Sequence, residues 1–213
     1  MATEDLIARL STDLQPSERR PVLSAFAMPL AIGIAASLVL MLAWLGLRPD
    51  LATAMTTSAY WMKFFYTLLF AASAFWLAER MARPGTSRDQ PMVFLAFVLL
   101  AIAGIGMIEM MRAPPLARHH LMMGGSADVC PWRIVLLGIP LLAASLWAMR
   151  RMAPTRLMLA GWAAGLFAGA AGAFIYAFHC TESAAPFVAI WYTAGITLTA
   201  LIGAVAGRWL LRW

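Results

Sequence analysis

Charged residues are scarce in this chain. Only 12% of its 213 residues are Asp, Glu, Lys or Arg, whereas 62% are hydrophobic. Soluble domains carry roughly 25% charged and about 45–50% apolar residues. Since a soluble fold of this length cannot bury so much apolar surface, the composition excludes an ordinary soluble domain and indicates an integral membrane protein.

The start of the sequence lacks the pattern of a cleavable signal peptide. Such a peptide places a basic region directly before a short apolar one. Here four acidic residues lie among the first 20, and the first apolar run begins only near Pro21. We therefore expect the first apolar segment to be retained as a membrane span.

Six apolar stretches approach or reach the length of about 20 residues that a membrane-spanning helix needs. They cover about residues 26–47, 60–78, 91–111, 134–149, 157–178 and 186–207. The fourth is short unless Trp132 and Arg133 lie in the membrane interface. The sequence thus predicts an all-α polytopic membrane protein, a bundle of six transmembrane helices.

The basic residues predict the orientation of this bundle. Of the 16 Lys and Arg residues, eleven fall on the side that carries the chain termini and five on the other. Basic residues mark cytoplasmic loops, so we predict that both termini are cytoplasmic. The same rule explains the net charge of +6, so this charge does not indicate that the protein binds nucleic acid. Cys130 and Cys180 then lie together on the opposite side.

Ionisable residues are nearly absent from the predicted spans. Lys63 and Glu109 stand near the outer ends of the second and third spans. We expect Lys63 to extend its ammonium towards the interface, and Glu109 to pair with Arg112 one helical turn later. Pumps and transporters usually need ionisable groups within the membrane, so their scarcity argues against transport.

Glycines recur at four-residue spacing in the last two spans. Gly161, Gly165 and Gly169 lie in the fifth, and Gly203 and Gly207 lie in the sixth. Small residues at this spacing allow helices to approach closely. We interpret them as packing faces within the bundle rather than as a substrate path.

Residues 1–24 form a predicted cytoplasmic N-terminal segment, and residues 25–213 form the six-helix domain with outer loops at 112–133 and 179–185. The segment contains an amphipathic helix that ends by Pro16 and carries the apolar stripe Leu6, Ile7, Leu10 and Leu14. A helix this short is marginal alone in water. Its net acidic charge leaves two surfaces open, the bilayer interface and a groove on a protein partner.

Only two cysteines are present, and they form no Cys-x-x-Cys motif. This excludes a preformed zinc site of the usual spacing and the four-cysteine relay expected of a quinone-linked thiol oxidase. In an oxidising compartment such a pair is most simply a structural disulfide. The sharper hypothesis is a redox or metal sensor, because the neighbouring His179 can lower the pKa of a thiol.

Several further side chains could support a sensor site. Imidazole and carboxylate groups are ligands that complement thiolates for soft and borderline metals. The candidates near the two cysteines are His179, Glu182, His119 and His120.

Several short motifs stand out along the chain: Cys130-Pro131-Trp132-Arg133, Arg150-Arg151-Met152-Ala153-Pro154-Thr155-Arg156, Ala160-Gly161-Trp162-Ala163-Ala164-Gly165-Leu166, Tyr176-Ala177-Phe178-His179-Cys180-Thr181-Glu182, Phe187-Val188, Trp191-Tyr192 and the tail motif Arg19-Arg20-Pro21. With these motifs and six spans, the sequence resembles the NrsF family of bacterial inner-membrane anti-sigma factors. The resemblance covers nearly the whole chain.

The resemblance implies a regulator rather than an enzyme. It implies that the chain holds an extracytoplasmic-function sigma factor inactive at the inner membrane through its N-terminal segment, within about residues 2–20. It also implies that Cys130 and Cys180 sense metal or oxidative stress in the periplasm. No resident cofactor is expected, although the cysteines would bind a heavy-metal ion transiently.

The spacing of Leu6, Ile7, Leu10 and Leu14 suggests these four residues as sigma contacts. The competing interpretations are a membrane thiol-disulfide oxidoreductase, a small metal transporter and a structural membrane subunit.

Overall fold

The structure is a computed structural model that describes residues 3–12, 22–83 and 85–212, and every regular element in these ranges is helical. An N-terminal helix, Thr3–Thr12, is followed by six long helices that we call the first to sixth spans. They are Val22–Trp44, Ser58–Ala82, Asp89–Arg112, Cys130–Arg150, Leu157–Tyr176 and Ala185–Leu210. All six are long and apolar enough to cross a membrane. The all-α, six-span prediction is confirmed, while the orientation stays a prediction.

Consecutive spans run in opposite directions, so the loops collect at two ends of the bundle. The loops at 45–57, 113–129 and 177–184 contact one another and include Cys180, with Cys130 directly after the second of them. We call this the cysteine end. The connections between the second and third and between the fourth and fifth spans lie at the other end, which we call the terminal end because the first span begins there and the sixth ends there.

The loop predicted at 112–133 ends earlier in the structure, because the fourth span begins at Cys130 rather than after Arg133. The loop also contains a short helix, Pro115–Met123. Pro131 explains the early start, because proline in the first turn of a helix loses no hydrogen bond and already has a helical φ. Trp132 and Arg133 are therefore helical, and the span reaches 21 residues.

The fifth span forms the centre of the bundle and packs against the second, fourth and sixth spans. Its glycines lie directly against the sixth span: a Cβ atom on Gly161 would come within 2.2 Å of the Gly203 oxygen, and one on Gly165 within 2.5 Å of the Thr199 oxygen. No side chain larger than hydrogen fits between these backbones. The predicted glycine packing faces are confirmed.

The first and third spans are more peripheral. The first packs on the fourth, where the buried Ser37 hydroxyl donates to the Leu137 oxygen at 2.8 Å. The third contacts the start of the sixth, with Gly106 lying against Pro186. Its other side is apolar and open: Phe97 is 68% exposed and Leu100 is 71% exposed. Such a surface is suited to lipid rather than to water.

The sixth span begins irregularly. It opens with the turn Ala185–Phe187, continues as a π-helical segment over Val188–Tyr192 and becomes α-helical at Thr193–Leu210. π-Helical turns are uncommon and are often found at functional sites. This one directly follows the loop that carries Cys180 and buries Tyr192 completely.

The predicted N-terminal helix is present at Thr3–Thr12, with Glu4 and Asp5 in its first turn. Leu6 and Leu10 belong to it, and the Ile7 side chain is 59% exposed. Leu14 lies outside the described residues, as do Pro16 and the Arg19-Arg20-Pro21 motif.

Candidate functional site

The loop between the fifth and sixth spans folds back onto the bundle. The backbone oxygen of Tyr176 accepts hydrogen bonds from the backbone N–H groups of His179 at 2.9 Å and Cys180 at 3.0 Å. These two bonds close a tight turn. Cys180 is consequently buried, with 3% of its surface exposed. The loop therefore presents its cysteine to the interior of the cysteine end rather than to the surroundings.

Lys63 fastens this loop to the second span. Its ammonium donates to the Cys180 oxygen at 2.8 Å and to the Glu182 oxygen at 2.7 Å. The expectation of an interfacial lysine is wrong, because Lys63 is fully buried. A buried ammonium requires hydrogen-bond acceptors. The carbonyl oxygens of Cys180 and Glu182, which lie in a loop rather than in a helix, accept these hydrogen bonds from Lys63.

Arg48 clamps the same loop from the first–second connection. Its guanidinium donates to the Cys180 oxygen at 3.3 Å, and its backbone N–H donates to the Phe178 oxygen at 3.1 Å. Asp50 holds the guanidinium in place through two hydrogen bonds of 2.8 and 2.7 Å. The pKa of the Asp50 carboxyl is lowered by this pairing. Two cationic side chains thus converge on one carbonyl oxygen.

Cys130 reaches the same place from the fourth span. Its backbone N–H donates to the Ser126 oxygen at 2.9 Å, which starts the helix, and its side chain is fully buried. The Cys130 thiol lies within hydrogen-bonding reach of Cys180. Both thiols are free in the structure. Two cysteines separated by 50 positions in the sequence are therefore adjacent in space.

The surroundings favour a thiolate at Cys180. The hydrogen bond with Cys130 and the positive charge of Lys63 lower the pKa of the Cys180 thiol to about 5, although burial acts in the opposite direction. A thiolate is the nucleophilic and metal-binding form of cysteine. Cys180 is accordingly the reactive member of the pair at neutral pH, and Cys130 is its hydrogen-bonding neighbour.

The side chains of Glu182 and His179, both predicted as supporting residues, contact backbone groups of other loops. The Glu182 carboxylate accepts from the Gly125 N–H at 2.8 Å and so ties the loop before Cys130 to the loop after the fifth span. The His179 Nδ1 atom lies 3.0 Å from the Gly46 oxygen. These two contacts join the loop at 177–184 to the loops at 113–129 and 45–57.

His119 and His120 lie on the short helix Pro115–Met123 and are exposed. The helix is tied to the sixth span by Trp191, whose indole N–H donates to the Met122 oxygen at 2.8 Å. Across residues 3–12, 22–83 and 85–212, no three His, Cys, Asp or Glu side chains are grouped as a metal site. A metal held here would thus rest on the two thiols alone.

A cavity of about 330 Å³ gives access to the site. Cys180 and His179 line it together with the guanidinium-bearing side chains of Arg48 and Arg133. The cavity therefore borders the loop that carries Cys180.

Glu109 also differs from expectation. Its carboxylate accepts from the Ala185 N–H at 2.9 Å and so caps the start of the sixth span. Sequence reasoning missed this role and the loop-binding roles of Lys63 and Arg48. One signal was available: Lys63 is the single lysine of the chain, and it stands inside an apolar segment.

The chain is similar along its whole length to proteins of one family. It is 41% identical over 214 residues to "Anti-sigma-F factor NrsF" of Caulobacter vibrioides (strain NA1000 / CB15N), with 100% of both chains covered. It is 36% identical over 213 residues to "Probable anti-sigma-F factor NrsF" of Azospira oryzae (strain ATCC BAA-33 / DSM 13638 / PS), again with 100% of both covered. No solved structure matches the chain.

The pattern of the NrsF family, described as "Negative regulator of sigma F", matches residues 10–213. The match includes both cysteines, Lys63 and all six spans. The chain belongs to the NrsF family.

Proposed function

We propose that this chain is an anti-sigma factor that holds a sigma factor of the extracytoplasmic-function type at the bacterial inner membrane. Release follows when Cys130 and Cys180 react on the periplasmic side. The names of the two relatives support the anti-sigma role. The observation that carries the sensing role is the adjacency of two buried, free thiols at one end of the bundle.

The proposed orientation rests on the basic residues. Most of the arginines belong to the terminal end, which is therefore assigned to the cytoplasm. The cysteine end then faces the periplasm, where disulfides form and persist. The two functional ends lie on opposite sides of the membrane, as a signalling protein requires.

The chemistry of the pair follows from its protonation. Hydrogen peroxide, a two-electron oxidant, converts the Cys180 thiolate and one proton to a sulfenic acid and water. The Cys130 thiol then displaces a second water and closes a disulfide. A soft divalent cation instead binds both sulfurs and displaces the proton that Cys130 still holds. Either reaction removes the thiol–thiolate hydrogen bond.

The signal crosses the membrane through the packing of the spans. Cys130 begins the fourth span, and Cys180 links the fifth to the sixth. A change in the cysteine pair shifts these three helices because their backbones are in contact. A tenfold loss of sigma affinity needs a coupling free energy of only about 1.4 kcal/mol.

The proposed sigma-binding element is the helix Thr3–Thr12. Ile7 is a large apolar side chain that this helix leaves exposed. In the sequence, Leu6, Ile7, Leu10 and Leu14 follow the spacing of an apolar stripe on one face of a helix. An amphipathic helix of this kind binds in an apolar groove of a partner protein.

The test is co-purification of the detergent-solubilised full chain with its sigma factor, before and after treatment with peroxide or Cd²⁺. We expect capture at rest and release after treatment. The variants Cys130→Ser and Cys180→Ser should capture sigma but no longer release it, whereas the nearby control Ser183→Ala should behave like the wild type. Release that persists in both cysteine variants would contradict the sensing role.

The N-terminal helix is tested by a matched pair of substitutions. Ile7→Glu places a charge in the apolar stripe, and Ala8→Glu places the same charge on the opposite side of the helix. We expect at least a tenfold loss of sigma affinity for Ile7→Glu and little change for Ala8→Glu. Equal affinities for the two variants would show that sigma binds elsewhere.

A further inference from the structure

An apolar cleft opens at the terminal end of the bundle. It has a volume of about 430 Å³ and lies between the second, third, fifth and sixth spans. Its lining consists almost wholly of apolar side chains: Leu77, Met81, Met92, Met158, Trp162 and Ala204. The cleft exists because the third span contacts the sixth at the cysteine end, through Gly106 and Pro186.

A polar cavity of about 570 Å³ lies beside this cleft. The two cavities share Met81 and Arg88 in their linings, so they are adjacent. Arg83, Arg88 and Arg156 line the polar cavity. It therefore offers strong hydrogen-bond donors directly beside an apolar slot.

We propose that the two cavities form one binding site for an anionic phospholipid, with the phosphate in the arginine cavity and an acyl chain in the apolar cleft. Guanidinium groups bind phosphate oxygens through paired hydrogen bonds. Basic pockets between spans at the cytoplasmic side are suited to anionic headgroups. The site rests on the membrane setting given under the proposed function but not on sigma binding.

The charges of the cavity favour an anion. One carboxylate, that of Asp89, also lines it and accepts a hydrogen bond from the Ser87 hydroxyl at 3.0 Å. Arg83 pairs with Glu79 at 2.6 Å. Within residues 3–12, 22–83 and 85–212, Arg88 and Arg156 have no ion-pair partner. With Arg83 paired to Glu79, Arg88 and Arg156 against the Asp89 carboxylate leave a net positive charge at the cavity.

The apolar half of the site distinguishes a lipid from a soluble anion. Free phosphate gains nothing from a cleft lined by methionine, leucine and tryptophan side chains. An acyl chain in the cleft would cover apolar side-chain surface that the rest of the protein leaves exposed. Met158, for example, is 53% exposed. The structure thus favours a ligand with one anionic and one hydrocarbon part.

The test is native mass spectrometry of the detergent-solubilised full chain with phosphatidylglycerol or phosphatidylcholine of identical acyl chains. We expect phosphatidylglycerol to bind about tenfold more tightly. The triple variant Arg83→Gln/Arg88→Gln/Arg156→Gln should lose this preference. The matched control removes three arginines at the same end that lie over tryptophan rings, Arg151→Gln/Arg208→Gln/Arg212→Gln, and should retain it.

Two further measurements distinguish a phospholipid from free inorganic phosphate as the ligand of this site. Ala204→Phe narrows the cleft and should weaken both lipids several-fold, while millimolar inorganic phosphate should not displace phosphatidylglycerol. Equal binding of the two lipids, equal losses in both triple variants or full binding by Ala204→Phe would overturn the proposal. Because lipid binding is measured without sigma, its failure is distinct from a failure of the anti-sigma role.

Discussion

The Lys63 ammonium and the backbone oxygen of Cys180 are joined by a hydrogen bond of 2.8 Å, in a position from which water is excluded. This contact links the second span to a loop more than 100 residues away. It also places a full positive charge beside a thiol pair. One side chain therefore contributes both to the position of the loop and to the reactivity of its cysteine.

Replacing Lys63 with methionine should destabilise the cysteine end. The change keeps an unbranched apolar chain but leaves the Glu182 oxygen without its lysine donor and the Cys180 oxygen with the longer Arg48 hydrogen bond. Hydrogen bonds to charged groups contribute about 1.5–3 kcal/mol each, so we expect a loss of roughly 3 kcal/mol. Thermal unfolding in detergent measures it. The control Arg112→Met removes an exposed charge at the same end and should leave the unfolding temperature nearly unchanged.

The reactivity of Cys180 should persist into mildly acidic solution. The pKa of its thiol is lowered to about 5, so the thiolate is present above that pH and is lost as the pH falls through it. The rate of alkylation by iodoacetamide, followed by mass spectrometry, should have its midpoint near pH 5.

The matched variant Cys130→Ala removes the hydrogen bond that contributes most to this shift. We expect its midpoint to move upward, towards that of an ordinary thiol near 8.5. Cys180→Ser reports how much of the total signal comes from Cys130. An alkylation midpoint that is the same with and without Cys130 would disprove the hydrogen-bonded pair.

Alanine at Gly165 should disrupt the packing of the last two spans. Its Cβ atom would approach the Thr199 oxygen to 2.5 Å, and a backbone oxygen cannot move aside without shifting a helix. Overpacking of this kind typically costs 1–3 kcal/mol, and we expect about 3 kcal/mol here. The same substitution at Gly104 meets nothing within 4 Å. Gly104→Ala should be neutral or slightly stabilising in the same unfolding experiment.

Removal of the Glu182 carboxylate should loosen the loop before Cys130. Glu182→Ala leaves the Gly125 N–H without its acceptor, whereas Glu182→Gln retains an amide oxygen in the same position. Hydrogen–deuterium exchange at Gly125 should increase about tenfold in the alanine variant, since a lost hydrogen bond costs about 1 kcal/mol or more. Equal exchange in the alanine and glutamine variants would show that the carboxylate does not hold this loop.

The number of spans and the glycine contacts could be predicted from the sequence, because both depend on local pattern. A run of about 20 apolar residues has one stable arrangement in a bilayer. Glycines at four-residue spacing present one face whatever their neighbour. The position of Gly161 against Gly203 follows from these two rules once the fifth and sixth spans are adjacent in the chain.

The site was predictable only in part. Alternation of six spans places Cys130 and Cys180 on the same side, but it does not make them neighbours. Lys63 was misassigned because its partners are backbone oxygens of a distant loop, which no residue pattern reveals. His119 and His120 belong to the same predicted outer loop as Cys130, yet the helix Pro115–Met123 holds them in exposed positions.

The π-helical segment Val188–Tyr192 lets one helix meet two neighbours that lie in different directions around its axis. Successive side chains of an α-helix point in directions about 100° apart around the helix axis. One extra residue accommodated as a π-bulge therefore rotates the part of the helix before the bulge by about 100° relative to the part after it. Pro186 can thereby face the third span while Gly203 faces the fifth. A single-residue deletion within 188–192 would restore a regular α-helix. Pro186 and Gly203 could then no longer face the third and fifth spans at the same time.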